Sequence, residues 1–332
     1  MSKTNALACL FLIFKKNVSF DERKTHCYET QTKMKKSLIY IALFFAISQS
    51  VVAQQIFQLT QYANNKFAYN PAVAGSNDYF TAQAGFRKQW AGIEGAPTTI
   101  HASVEGNLSQ KKSVGLGLLL YNDATGPTSR FGVQIGYAYQ LPLNLDGTTQ
   151  LGFGIAGSLL SQSVDFDQLV LGQGGDPQIG TNAASKFGAD AHLGVYLKGK
   201  SFSVGLSANQ LFGSKFKIVT DDAATIENAR HFYLAGDYHY DINEKIALEP
   251  TLLLKMVQGA NPQAEINLRG YYQNKYWLGV GYRTEDALAL MLGAKFADKF
   301  SFSYSYDLTT SKLSTVSNGS HELRLAYQFG IF

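Results

Sequence analysis

The feature that most constrains this chain is a two-residue alternation of side-chain character. Between residues 129 and 141, Phe131, Val133, Ile135, Tyr137 and Tyr139 share one parity, and Gly132, Gln134, Gly136, Ala138 and Gln140 the other. Successive strand side chains point to opposite faces, so a period of two specifies a strand. About fourteen such segments follow one another, near 79–90, 97–106, 113–122, 129–141, 149–163, 187–198, 201–210, 230–241, 245–257, 263–273, 275–284, 287–296, 299–309 and 320–332. An even number of strands, each with one apolar face and one small or polar face, is the pattern of a transmembrane antiparallel β-barrel with a wet lumen. The expected fold is therefore all-β, with a short N-terminal arm before the barrel.

The apolar stripes are mostly clean: Val114, Leu116, Leu118 and Leu120 form one, and Tyr276, Leu278, Val280 and Tyr282 another. The opposite faces carry Asp190, His192, Glu249, Lys255, Arg269, Arg283 and Asp307. Charges on one face of an otherwise apolar membrane strand are tolerated where water reaches them. Connections after even-numbered strands are tight, at Asp146-Gly147, Gly199-Lys200, Asn243-Glu244, Asn274 and Asp298, whereas several others are long, at 164–186, 211–229 and 310–319. Outer-membrane barrels turn tightly on the periplasmic side and loop widely outside. Trp90, Tyr121, Tyr139, Tyr240, Tyr271, Tyr272, Tyr276 and Trp277 lie near strand ends, where aromatic girdles are expected. The last strand ends on Phe332, out of phase with its stripe but resembling the C-terminal assembly signal of such barrels.

Composition agrees. Charged residues are 16%, aromatics 13%, and the chain has 31 glycines, many of them inside the alternating segments, which suits a barrel better than a soluble enzyme. Mean hydropathy is −0.09, as expected when lumen-facing residues dilute lipid-facing ones. A net charge of +4 is too small and dispersed to indicate nucleic acid. Met34-Lys35-Lys36, the apolar run Leu38–Ile47 and Val51-Val52-Ala53 read as a cleavable signal peptide over 34–53, leaving Gln54 first and residues 1–33 upstream of the true start. Both cysteines, Cys9 and Cys27, lie in that upstream piece, so the exported chain has no disulfide framework. Residues 54–78 lack alternation and read as the arm, placed in the periplasm or in the lumen, with the barrel over 79–332.

No sequence pattern for catalysis is present: there is no Walker loop, HExxH, CxxC or GxSxG. Gly152-Phe153-Gly154-Ile155-Ala156-Gly157 mimics a phosphate loop, but its glycines fall at strand period and read as small lumen-facing residues. His231, Asp237 and His239 share a parity, which could serve a barrel hydrolase, yet no activated nucleophile is beside them. Asp165, Asp167, Asp176, Asp221 and Asp222 offer oxygens to cations, but their spacing is not that of an EF-hand and reads as solvated loop. No cofactor or metal is expected.

Several stretches go beyond a generic barrel. The arm reads Gln58-Leu59-Thr60-Gln61-Tyr62 and then Asn70-Pro71-Ala72-Val73-Ala74-Gly75. The first hairpin carries Arg87-Lys88-Gln89-Trp90-Ala91-Gly92-Ile93 and Gly95-Ala96-Pro97-Thr98-Thr99, and the end reads Tyr304-Ser305-Tyr306-Asp307 and Gly319-Ser320-His321-Glu322. Together and in order, these resemble the signature stretches of the PorP/SprF family of Bacteroidota outer-membrane proteins, over roughly residues 55–332. The resemblance implies a non-enzymatic part of the type IX secretion and gliding machinery. The implied partners are outer-membrane lipids, a secreted client such as a large adhesin with a C-terminal sorting domain, and periplasmic machine proteins. The candidate docking or motif residues are Asn70, Pro71, Gly75, Arg87, Gln89, Trp90, Gly92, Gly95, Pro97, Asp307, His321 and Glu322.

Each of these residues also has a structural use, Asn70-Pro71 and Gly95-Ala96-Pro97 as turns and Trp90 as an interface anchor. Arg87 and Lys88 fall on opposite faces, so at most one enters the lumen. Two rivals to a docking barrel stand beside it: a porin or substrate-specific channel, for which the arm would have to leave the lumen, and a barrel enzyme resting on His231, Asp237 and His239.

Overall fold

The structure is a computed structural model, and it describes residues 56–108, 113–168, 184–217 and 225–330. The signal-peptide reading, residues 1–33 with Cys9 and Cys27, and Asp176, Asp221, Asp222 and Phe332 lie outside the described residues.

The strands are β1 (Phe80–Lys88), β2 (Thr98–Asn107), β3 (Val114–Thr125), β4 (Thr128–Pro142), β5 (Gln150–Val164), β6 (Ala184–Lys198), β7 (Phe202–Asn209), β8 (Lys215–Lys217), β9 (Thr225–Glu227), β10 (His231–Tyr238), β11 (Tyr240–Asp241), β12 (Ile246–Val257), β13 (Gln263–Tyr272), β14 (Tyr276–Arg283), β15 (Ala287–Phe296), β16 (Phe300–Thr309) and β17 (Ser320–Phe329). β8 and β9 form a separate hairpin, and β10 and β11 are one barrel strand interrupted at His239. Each remaining strand pairs antiparallel with its neighbours, β10 also with β12, and β1 pairs with β17 to close the ring at fourteen strands. Closure leaves no edge and no unpaired ladder in lipid.

The alternation sorts side chains as its parity demands. Along β4, Phe131, Ile135, Tyr137 and Tyr139 are exposed while Gly132, Gln134, Gly136, Ala138 and Gln140 are buried. The outer wall is a belt of exposed Leu, Ile, Val, Phe and Tyr, such as Ile135 at 62% and Leu290 at 60%, where a bilayer would cover it. No helix among the described residues is long and apolar enough to cross a membrane. Two of the tight hairpins hold both central residues at positive φ, Gln273 and Asn274 at 53° each and Ala297 and Asp298 at 47° and 55°. Positive φ at both central residues is the type I′ turn, whose twist matches that of the flanking strands.

The expected girdle divides. Tyr139, Tyr240, Tyr272 and Tyr276 face outward, but Tyr121, Tyr271 and Trp277 point into the lumen, the first against Phe57 and the other two around Arg269. The reason is the same alternation: Tyr271 and Tyr272, or Tyr276 and Trp277, are adjacent in one strand and cannot share a face.

The lumen is not simply wet. The arm lies inside it, as three short 3₁₀ turns (Tyr62–Asn64, Lys66–Ala68 and Pro71–Val73). Phe57, Leu59, Tyr62, Phe67, Tyr69 and Ala74 of the arm make an apolar core with Leu119, Ala138, Tyr233 and Leu253 of the wall. The arm supplies the apolar surface that a barrel with a polar inner face lacks.

Candidate functional site

The arm runs down the barrel. Near Thr60 it touches the ends of β13, β14, β16 and β17 that carry the wider loops, and at Tyr79 it reaches the end with the tight turns, where β1 begins. Its fixing differs from one end to the other.

At the wide-loop end the lock is ionic. The Thr60 hydroxyl donates to Asp307 at 2.7 Å and accepts from Arg87 Nη1 at 2.6 Å and Arg283 Nη2 at 3.0 Å, which uses its one proton and both lone pairs. The Thr60 and Gln61 amides donate to the two oxygens of Glu322, at 2.7 and 3.1 Å. Arg87 bonds Asp307 at 2.8 Å and Glu322 at 3.1 Å, and Arg283 bonds Glu265 at 2.7 Å, Asp286 at 2.9 Å and Asp307 at 3.2 Å. Arg87, Asp307 and Glu322 are at most 2% exposed, so these charges survive only because each is paired and hydrogen-bonded.

Midway the lock is steric. Glycines on the inner face of β3 to β7 let the arm's backbone lie directly on the wall. A Cβ on Gly154 would meet Ala72 N at 2.2 Å, and one on Gly194 would meet Asn70 Oδ1 at 1.9 Å. Gly152 and Gly154 are thus the bed of the arm, whereas Gly157, read with them as lumen-facing, has the opposite parity and faces outward. Asn70 caps its turn by accepting from Ala72 N at 2.9 Å and donates to the wall carbonyls of Val195 at 3.0 Å and Leu206 at 3.4 Å, with Pro71 opening the turn. Gly75, at φ 71°, packs where a Cβ would sit 2.5 Å from Gly115 Cα. Gln140 Nε2 donates to Ala72 O and Ala74 O at 2.9 and 2.7 Å.

At the tight-turn end the lumen opens into a vestibule of about 380 Å³, floored by the arm and lined by both signs of charge. Lys66 reaches Asp237 at 2.5 Å, and Arg269 pairs with Glu249 while its guanidinium lies 5.4 Å from the Trp277 ring centroid.

The twelve sequence candidates therefore do not form one surface. Arg87, Asp307 and Glu322 come together in the buried lock, and Asn70, Pro71 and Gly75 sit on the glycine bed. Gln89, Trp90, Gly92, Gly95 and Pro97 build a rim loop, with Gln89 N bonded to Pro97 O at 2.9 Å, Trp90 N to Ser320 Oγ at 3.0 Å and Ala91 N to Gly319 O at 2.7 Å. Gly92 and Gly95 hold φ of 93° and 68° there. His321 takes the outward parity beside Tyr304, whose hydroxyl is 2.7 Å away, so it is separated from Glu322 by the wall. Of the pair left open by parity, Arg87 enters the lumen, and Lys88 binds Ala96 O and Thr98 Oγ1. Glu265, Asp286 and Lys66 are partners in these contacts that lie outside the sequence motifs, and Thr60 lies within the Gln58–Tyr62 stretch without being among the twelve candidates; the inward parity of Arg283 is the one signal that leads to Glu265 and Asp286.

The enzyme reading loses its cluster. His231 is bonded to Ala229 O at 2.8 Å, Asp237 is taken by Lys66 and Ser203, and His239 lies between Asp241 and Glu249 at 3.3 and 3.6 Å. Six residues of extended strand separate His231 from Asp237, on the order of 20 Å. Among the described residues no group of three His, Cys, Asp or Glu could hold a metal ion.

Comparison with known proteins adds the following. Residues 51–327 match the family described as type IX secretion system membrane protein PorP/SprF. No curated protein matches in sequence. Solved barrels are similar in shape at low identity. A Pseudomonas aeruginosa FadL homologue aligns at 12% identity over 79% of this chain and 93% of its own, with TM-score 0.45. The CymD monoaromatic hydrocarbon channel aligns at 12% over 79% and 91%, with TM-score 0.48. The KdgM porin aligns at 9% over 76% and 99%, with TM-score 0.37.

Proposed function

The chain belongs to the PorP/SprF family of type IX secretion system membrane proteins, and from that membership we propose that it is a non-enzymatic docking barrel of the outer membrane. It holds a secreted client, such as a large adhesin with a C-terminal sorting domain, or periplasmic parts of the machine. The observation that supports this reading is the filled lumen. A barrel whose interior is occupied by its own arm, and locked by buried ion pairs, is built to present surfaces rather than to pass solutes. The tight-turn end, periplasmic in outer-membrane barrels, carries the open vestibule, and the wide loops face outward. Export by a cleavable signal peptide belongs to the same proposal.

The test is a pull-down of tagged barrel from gently solubilised outer membranes, followed by mass spectrometry. Enrichment of a protein with a C-terminal sorting domain, or of periplasmic secretion components, is expected. Reproducible recovery of the barrel alone would sink a stable docking role. Conductance in planar bilayers separates the channel rival: the filled barrel conducts no ions steadily, and a stable open conductance would favour a porin.

A further inference from the structure

The vestibule at the tight-turn end has a charge imbalance that the carboxylates of its lining do not neutralise. Seven Lys or Arg side chains line it against three carboxylates, an excess of four positive charges. Lys66 and Arg269 are matched, to Asp237 and Glu249. Among the described residues, Lys198, Lys275, Lys295 and Arg324 form no ion pair with a carboxylate of the lining, although Asp78 and Glu105 lie near enough to Lys198 to act on it. Arg324 is held instead by neutral acceptors, Gln83 Oε1 at 2.7 Å, Asn64 O at 3.3 Å and Ser301 Oγ at 3.5 Å, and Lys198 by Ser76 O at 2.8 Å and Asn77 Oδ1 at 2.5 Å. A net excess of one sign on concave walls favours a counter-ion inside them.

The position of the pocket narrows the occupant. It opens along the barrel axis between the turns at Lys200 and Lys275, away from the lipid-facing wall, so a ligand enters from water and end-on. Its volume of about 380 Å³ is at the small end of binding sites, enough for a short extended segment rather than a folded domain. The lining is rich in donors, which suits a chain bringing carbonyl and carboxylate oxygens.

We propose that this vestibule is a receptor site for an acidic peptide segment of a partner protein, whose carboxylates pair with Lys198, Lys275, Lys295 and Arg324. The proposal rests on the docking reading above and names the chemistry of what docks at the periplasmic end.

The test uses the purified full-length barrel in zwitterionic detergent and a fluorescein-labelled peptide with a run of glutamates in a Gly-Ser frame, read by anisotropy. Saturable binding that weakens with salt is expected, with none for the glutamine counterpart. The variant Lys275→Gln/Lys295→Gln should weaken binding by about tenfold or more, the scale of one lost charge-assisted pair. Arg324→Gln tests the same site from the wall, and Lys215→Gln, on the separate hairpin at the other end, should bind as wild type. Absence of saturable binding, equal binding of the glutamine peptide, or unchanged affinity in all the vestibule variants would overturn the proposal. So would loss of peptide binding when phosphatidylglycerol replaces the zwitterionic detergent at equal ionic strength, which would assign the pocket to a lipid headgroup. Because the titration contains no other protein, an empty titration with a productive pull-down removes this site and leaves the docking role. The reverse result removes the role and leaves the site.

Discussion

The two ends of the lumen share one wall and one alternation, yet they are built on opposite electrostatic plans. At the wide-loop end two arginines face four carboxylates, and Thr60 sits among them with every lone pair used. At the tight-turn end cations outnumber carboxylates and several have only neutral partners. The first arrangement is buried and its charges are paired with one another; the second opens to solvent and leaves an excess of cations over carboxylates. The difference teaches that the arm, not the wall, divides the lumen: around Thr60 its hydroxyl and amides are enclosed with the charged side chains, whereas around Lys66, Ser76 and Asn77 it binds charges of the wall and leaves a cavity open beside it.

The largest break in this contrast should come from Arg283→Met. It would leave Glu265, Asp286 and Asp307 without a guanidinium they share, and losing one partner of a buried pair costs about 3–5 kcal/mol. Urea unfolding in detergent, followed by heat-modifiable mobility, reads the loss, and a change below about 1 kcal/mol would mean that the lock is not a lock. Thr60→Val removes the hydroxyl between both guanidinia and Asp307. About 2–3 kcal/mol is expected by the same assay, since bonds to charged groups are the stronger kind. Gly194→Ala sharpens the steric part: its Cβ would meet Asn70 Oδ1 at 1.9 Å, so the arm must back off, at about 1–2 kcal/mol. Hydrogen exchange at Ala72 N–H, bonded to that oxygen, should accelerate, and an unchanged rate would show that the arm does not depend on the bed. Smallest is Lys66→Met at the hydrated end, where Asp237 keeps Ser203; about 1 kcal/mol or less is expected, as for a partly solvated pair. A loss as large as that of Arg283→Met would erase the distinction between the ends.

The wall is legible in the sequence because strand parity is a direct geometric consequence of the backbone. The fourteen segments and the inward faces of Arg269 and Arg283 follow from it, whereas the choice between Arg87 and Lys88 does not. The filling is not, because the arm has no period to read. Its clue lies elsewhere, in glycines such as Gly115, Gly154 and Gly194 recurring on inner faces where a wet lumen would accept serine or threonine equally well. Parity alone also divides Tyr271 from Tyr272 and Trp277 from Tyr276, whereas nearness to a strand end says nothing of which face an aromatic takes. The motif residues Arg87, Asp307 and Glu322 stand as separate words in distant segments. Their meeting depends on closure of the ring, which no local pattern contains.

That meeting place has a consequence for how the molecule is made. Arg87 and Glu322 are register partners on β1 and β17, the first and last strands, and Thr60 bridges them from within. The seam is therefore stitched partly by the chain that precedes it. A ring zipped around an empty bore would bring two buried charged groups together without the amide and hydroxyl donors that satisfy them. Closing the ring and seating the arm therefore draw on the same residues, and a barrel without its arm would close over a seam whose buried charges lack part of their hydrogen bonding.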